Sequence, residues 1–397
     1  MPAVLSKFPS AFLERIDRIV PPALISEVHR GFLDFNPTVF RINRLKSDAS
    51  SVIRELEQAG LVCEPIKNFP DACLLKKGSL KKLRESKPYR EGWIYLQSLS
   101  SQIPALMLNP QPGERVLDLC AAPGGKTCQM AAMMQNKGEI TAIEPHPIRY
   151  EKLIYNLKRQ GVEIVRAVRM RGENIDLNCV AGDAGGKGSQ AAPPVADEAA
   201  WEPMQLSAPT SLEPVAFGGD PPDRAAGGDV AYETNRHDVP HRESHSDAED
   251  ERETRRRQDP HTPAFDRILL DAPCSSEGTF CVKDPKGFDH WSVDLIKKMA
   301  ARQKRLLRSA IALLKPGGLL VYSTCAISPE ENEEVTDSAL KELEDIEALD
   351  IPLKFPFLKP ALAGWEGKAF HRGVARARRI YPSPMMEGFF ACFMRKR

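Results

Sequence analysis

No C-x-x-C pair occurs anywhere in the chain. Its nine cysteines, at positions 63, 73, 120, 128, 179, 274, 281, 325 and 392, are scattered, and none pairs with a His at zinc-ligand spacing. That pattern argues against a structural metal site and against a disulfide framework, so no metal is expected and a reducing compartment is the default. Neither sign of charge is in excess: 55 Lys and Arg face 54 Asp and Glu, a formal net charge of +1. A footprint for a polyanion must therefore be local. No apolar run approaches the ~20 residues that span a bilayer, and the opening MPAVLSKFPSAFLERIDRIV lacks a secretory hydrophobic core. The expectation is a soluble, intracellular monomer with no membrane partner, in the cytoplasm, nucleus or nucleolus, with an organelle address left open.

What is present is enough for a large core: 397 residues, 42% of them apolar, which allows two or three domains. The chain is organised around residues 116–127, VLDLCAAPGGKT. An apolar run ends in Ala121, Ala122, Pro123, Gly124 and Gly125, and a helical pattern starts near Lys126. Paired glycines let backbone N–H groups approach a ligand, and a helix N-terminus favours negative groups. A nucleotide-like guest fits. A triphosphate loop needs Gly six residues before the Lys of Gly-Lys-Thr, and that position is Cys120. Absence of that glycine argues against a nucleotide triphosphatase.

Ahead of this stretch, residues 10–20 read as a helix with Ser10 as N-cap, and residues 23–33 as a second helix after Pro21-Pro22. Residues 39–45 read as a strand with Arg41 and Asn43 on one face, 48–59 as a helix ending at Gly60, and 61–66 and 72–75 as short strands. Residues 1–90 thus form a small α+β module, either an RNA-contacting unit or a structural extension. Beyond residue 113, strands and helices alternate. Strands are expected at 116–119, 139–143, 180–183, 267–270, 319–323 and 389–394. Helices are expected from Lys126, at 147–160 (Pro first, Gly161 after the end), at 292–314 and, as an acidic helix, at 329–343. Such alternation implies a mostly parallel, doubly wound α/β sheet. Residues 184–263 break the pattern: Gly, Pro, Ala, Ser, Asp and Glu dominate and no periodicity survives, which reads as a disordered insertion, a spacer rather than a docking segment.

In such a sheet, ligands bind beyond the carboxyl ends of the strands. Four strand ends carry distinctive residues: the glycine turn, Glu144, Asp271 with Cys274, and Thr324 with Cys325. Glu144, about twenty residues past the glycine turn, is positioned to accept ribose hydroxyls. Asp183 could accept an adenine amine. Buried Cys usually acts as a small hydrophobe, but Cys274 and Cys325 each follow an apolar strand beside turn residues, where a thiol can be activated. Two thiols facing one pocket point to covalent chemistry on an electrophilic carbon.

The stretches VLDLCAAPGGKT, FDRILLDAPCSSEGT and LKPGGLLVYSTCAISPEENE, with WIYLQSLSSQIPALML and EGFFACFM, resemble the RNA cytosine carbon-5 methyltransferase family. The resemblance covers residues 90–183 and 264–397, and more loosely the N-terminal module through FRINRLK. It implies a Rossmann-like class I methyltransferase sheet over 91–183 and 264–397, with S-adenosylmethionine as cofactor and ribosomal or transfer RNA as partner. It implies a cofactor site of Cys120, Ala121, Ala122, Pro123, Gly124, Gly125, Lys126, Glu144, Arg149, Asp183 and Asp271, with Asp271 also facing the base. It implies Cys325 as nucleophile on carbon 6 of cytosine and Cys274 as helper in elimination. The rival assignment makes Cys274 the nucleophile, as the Pro-Cys dipeptide does in DNA cytosine methyltransferases. Three departures stand out: Ser276 replaces the family's Gly after DAPCS, the insertion before the fourth strand is unusual, and the basic segment from Lys368 to Arg397, with eight Lys and Arg against Glu387, lacks part of the usual pattern. Two other functions share these features: a catalytically silent RNA-binding ribosome-assembly factor, and a small-molecule methyltransferase.

Overall fold

The computed structural model describes residues 5–33, 37–175, 265–284 and 287–397. The expected strand at 180–183 with Asp183, and the insertion at 184–263, lie outside the described residues.

The N-terminal part begins with α1 (Ser10–Ile19) and α2 (Ile25–Leu33), the latter preceded by a 3-10 turn at Pro22–Leu24. Ser10 is not the cap of α1: extended Pro9 holds that position and Ser10 is the first helical residue. An antiparallel sheet follows, ordered β2-β3-β1-β4, from β1 (Val39–Ile42), β2 (Val62–Pro65), β3 (Ala72–Lys77) and β4 (Ile94–Leu96). Helix α3 (Ala49–Gln58) lies between β1 and β2, with Asp48 capping the Ser51 N–H at 2.9 Å. The short helices α4 (Leu80–Glu85) and α5 (Lys87–Arg90) lead into β4. The module's sheet thus takes its last strand from beyond residue 90. Arg41 and Asn43 are buried ties: Arg41 Nε donates to Gln97 Oε1, and Asn43 Nδ2 donates to the carbonyls of Gly92 and Gln160. Helices α1 and α2 turn their Phe-rich faces to Phe280, Phe288 and Ile327 of the main domain, so this end of the chain is fastened by a shared core.

The main sheet is built on β5 (Arg115–Asp118), β6 (Glu139–Ile143), β7 (Val165–Val168), β8 (Phe265–Asp271) and β9 (Leu314–Thr324), all parallel in the order β7-β6-β5-β8-β9. Strand β7 was not expected. Its Arg166 breaks a short apolar run, yet it forms the third parallel strand. On the far side, β10 (Ile346–Leu349) and β15 (Phe389–Lys396) pair antiparallel, and β15 lies antiparallel on β9. The edge is completed by β11 (Lys359–Pro360) and β14 (Arg378–Ile380), while β12 (Gly364–Trp365) and β13 (Lys368–Ala369) pair separately. Residues 315–318, just past the expected helix, form a bulge inside β9, whose pairing jumps from Leu314–Phe265 to Leu319–Arg267.

Both faces are covered, which is why these strands read as unbroken apolar runs. Val116, Leu269 and Val321 face α6 (Leu99–Leu108) and α7 (Gly125–Met133). Leu117, Leu270 and Tyr322 face α9 (Val293–Leu313) and α10 (Glu333–Glu342). Helix α8 (Pro147–Gln160) connects β6 to β7 and ends at Gly161 in the left-handed region. The expected acidic helix is split: a 3-10 turn at Pro329–Glu331 precedes α10. Its acids are not a solvated face, because Glu331 and Glu333 are fully buried. The order of strands reverses at β5/β8, and the crevice beyond their carboxyl ends is where such sheets hold ligands.

Candidate functional site

The turn after β5 is tight. Gly124 has φ +103° and caps α7, and a side chain at Gly125 would meet the Tyr95 ring at 3.0 Å. Ala121 and Ala122 are buried and Pro123 is exposed. Arg149 joins this turn to the end of β6: its Nη2 donates to the Ala122 carbonyl at 2.7 Å, and its Nε lies 3.6 Å from Glu144 Oε2. Glu144 is buried, and its other oxygen accepts the His146 N–H at 2.9 Å. Burial, reinforced by Asp118, pushes the Cys120 thiol upward.

Lys126 points elsewhere. Its ammonium lies 2.6 Å from Asp271 Oδ2 and donates to Ser101 Oγ at 2.9 Å. Burial pulls this ammonium down, but the Asp271 charge more than reverses it, and the net shift is upward. Asp271 also accepts the Ser323 hydroxyl at 2.8 Å, so two adjacent strands and one helix converge on its carboxylate. Beneath it, Asp118 accepts the Thr127 hydroxyl at 2.7 Å and is pushed up to about 7 by burial.

The two thiols stand together. Asp271 pairs with Ser323 in the parallel register of β8 and β9, so the loops that follow them run side by side. Cys274 Sγ lies 3.2 Å from Cys325 Sγ, and both residues are partly exposed. The contact with Cys325 and burial raise the Cys274 thiol well above its usual range. Ser276 sits at φ +62°, in the left-handed region that glycine adopts without cost. Gly278 N–H donates to the Cys325 carbonyl and Gly388 N–H to the Gly278 carbonyl, each at 2.8 Å, fastening three loops together. Gly278, Glu277, Glu331, Asp118 and Ser101 were not singled out from sequence. The one available signal was that Glu331 and Glu277 each follow a thiol within six residues.

In the basic segment only Arg379 is buried, and several of the others are tied to the protein's own acids and carbonyls. Arg379 is buried against Glu333, Arg395 pairs with Glu347, and Arg376 donates to the Ala348 carbonyl. Among the described residues, no group of three His, Cys, Asp or Glu could hold a metal ion, and no helix is long and apolar enough to cross a membrane.

The profile of the family described as 16S rRNA methyltransferase RsmB/F matches residues 105–183 and 231–395, well over half the chain. The chain belongs to this family. It is similar to a tRNA (cytosine(49)-C(5))-methyltransferase of Pyrococcus abyssi, 30% identical over 90% of this chain and 87% of the relative. It is similar to a human 28S rRNA (cytosine(4447)-C(5))-methyltransferase, 29% identical over 92% of this chain, and spans 35% of that protein's length. A solved structure of a methyltransferase homolog from Pyrococcus horikoshii superposes with a TM-score of 0.63 at 25% identity, covering 98% of this chain and all of that one. The RsmB/F member described here is thus a methyltransferase enzyme with a class I sheet, and its cofactor is S-adenosylmethionine. The residues present suit that group. A buried carboxylate follows β6 beside a glycine turn, and that turn is braced by Arg149 on the Ala122 carbonyl and Asn156 on the Pro123 carbonyl.

Proposed function

We propose that this chain methylates carbon 5 of cytosine in ribosomal or transfer RNA through a covalent adduct between Cys325 and carbon 6. The observation that carries the reading is the 3.2 Å approach of two thiols beside the Asp271–Lys126 pair. Carbon 5 of cytosine is a poor nucleophile until carbon 6 is saturated, so a thiolate is needed. Cys325 forms the carbon–sulfur bond, carbon 5 gains electron density, and the methyl group is accepted there. S-adenosylmethionine supplies that methyl group as an electrophile. Cys274 then assists loss of the carbon 5 proton and rupture of the carbon 6–sulfur bond, which returns Cys325.

Glu144 would hold the ribose hydroxyls, the turn from Cys120 to Gly125 would line the cofactor with Arg149 bracing it, and Asp271 would face the base. The base must be unstacked to reach them. Exposed Lys77, Lys81 and Lys82 of the N-terminal module would supply phosphate contacts, alongside the exposed Lys368 and Arg372 of the C-terminal segment.

Cys-to-Ala variants incubated with RNA test this. Loss of Cys274 is expected to trap a protein–RNA adduct and loss of Cys325 to abolish it. An adduct that persists without Cys325 would overturn the assignment. Bisulfite sequencing of RNA from cells with and without the protein identifies the target nucleotide.

A further inference from the structure

We propose that Glu277 and Glu331 are positioning residues for the two thiols: each carboxyl group belongs to one thiol loop and holds the backbone of the other. The inference rests on the two-cysteine reading above.

Glu277 lies three residues after Cys274. Its Oε2 accepts the N–H groups of Ile327 at 3.0 Å and Ser328 at 2.7 Å, in the loop that carries Cys325. Its Oε1 accepts the Ser328 hydroxyl and the Trp291 indole N–H, both at 2.8 Å. Glu331 lies six residues after Cys325 and returns the arrangement. Its Oε2 accepts the Ser275 N–H at 2.9 Å and the Gln303 amide at 2.9 Å, and that same amide donates to the Pro273 carbonyl at 2.9 Å. Pro273 and Ser275 are the chain neighbours of Cys274, so the residues on both sides of that thiol are held. Ser275, Glu277, Gln303 and Glu331 are all buried.

The two acids are not equivalent. Glu277 has four donors around its two oxygens, the environment of a carboxylate. Glu331 has two, both on one oxygen, while its Oε1, the Ser275 Oγ and the Gln303 Oε1 are buried without partners. A neutral acid suits that place, since it needs fewer donors than a carboxylate. Burial and the nearby Glu277 charge push Glu331 up to about 8. Nothing in the chemistry proposed above consumes either acid, and neither is hydrogen-bonded to a thiol sulfur. Their hydrogen bonds hold the backbone of the thiol loops.

A glutamine has the shape of a neutral Glu331 and keeps an oxygen for the Ser275 N–H and the Gln303 amide. At Glu277 a glutamine's own amide would face donors. Full-length Glu331→Gln, Glu331→Met and Glu277→Gln variants, with methyl transfer and S-adenosylmethionine affinity both measured, therefore separate the roles. Glu331→Met, which keeps size but removes the acceptor, is expected to lower kcat by about tenfold to a hundredfold with cofactor Kd within about twofold. Glu331→Gln is expected to recover at least about tenfold of that loss, and Glu277→Gln to lose activity as Met does. Equal kcat in Glu331→Met and wild type, or equal loss in both Glu331 variants, would overturn the proposal. Amide hydrogen exchange on the wild-type protein is the second measurement and needs no variant to fold. The Ser275, Ile327 and Ser328 amides should be protected like those of β8 and β9, and exchange at open-loop rates would equally overturn it. If Cys325→Ala leaves methyl transfer intact, the reading of the chemistry fails while the amide protection still reports on the clamp.

Discussion

The ammonium of Lys126, on the first turn of α7, stands 2.6 Å from the carboxylate of Asp271 at the end of β8. This pair joins the glycine turn to the thiol loops across the switch point of the sheet. Lys126→Met leaves Asp271 without its cation in a partly buried place. The expected outcome is a loss of about 1–3 kcal/mol in stability and methyl transfer lowered on the order of a hundredfold. Urea unfolding and single-turnover methylation measure the two separately.

Asp118 gives a pH signature. Burial raises its carboxyl from 3.8 to about 7 in the folded protein. The folded state therefore binds a proton that the unfolded state has released. Its contribution to stability is full below about 4 and declines until about 7. Asp118→Asn keeps an acceptor for the Thr127 hydroxyl and removes the titration. The difference in unfolding free energy between wild type and Asp118→Asn should move in favour of Asn as pH rises from 4 to 7, and level off above. A difference that is flat across that window contradicts the assignment.

Cys274 is raised first by its contact with the Cys325 thiol and then by burial. At pH 8.5 an ordinary thiol, with pKa about 8.5, is half ionised, whereas Cys274 stays protonated. Alkylation of Cys274 by iodoacetamide at that pH is expected to be slow in the wild type and several-fold faster in Cys325→Ala. Peptide mass spectrometry reads each site.

Gly278 allows three backbones to meet. A Cβ there would lie 2.2 Å from the Gly388 carbonyl oxygen and 2.7 Å from that of Cys325, atoms with no flexible end to yield. Gly278→Ala should destabilise the protein by about 2–3 kcal/mol and separate the thiol loops, so that methyl transfer falls more than cofactor binding. By contrast Ser276→Gly, at φ +62°, should raise stability by about 0.5–1 kcal/mol by relieving a left-handed residue. Thermal unfolding of the two variants should move in opposite directions.

Much of the framework was legible because it is local. Strand β6 and helix α8 have the bounds that their apolar period, first-turn Pro147 and terminal Gly161 dictate. The glycine turn, Glu144 and both thiol loops lie at strand ends, where chain order alone places them. Strand β7 escaped notice because Val165–Val168 is short and broken by Arg166, and only pairing with β6 makes it a strand. Asp183 lies outside the described residues. In the basic tail, charge count does not reveal that Arg379 is buried on Glu333 or that Arg395 is paired with Glu347.

By itself, the sequence determined the doubly wound sheet, the glycine turn and the presence of two thiols at strand ends, since period and turn chemistry act over a few residues. Tertiary structure decided what those groups meet. Cys274 and Cys325 are 51 residues apart and come within 3.2 Å because β8 and β9 are parallel neighbours. The same register carries Glu331 to Ser275 and Glu277 to Ser328 and buries both acids. Which partner a buried carboxyl finds depends on strand order and register, and those are set by the packing of the whole sheet rather than by any single stretch of chain.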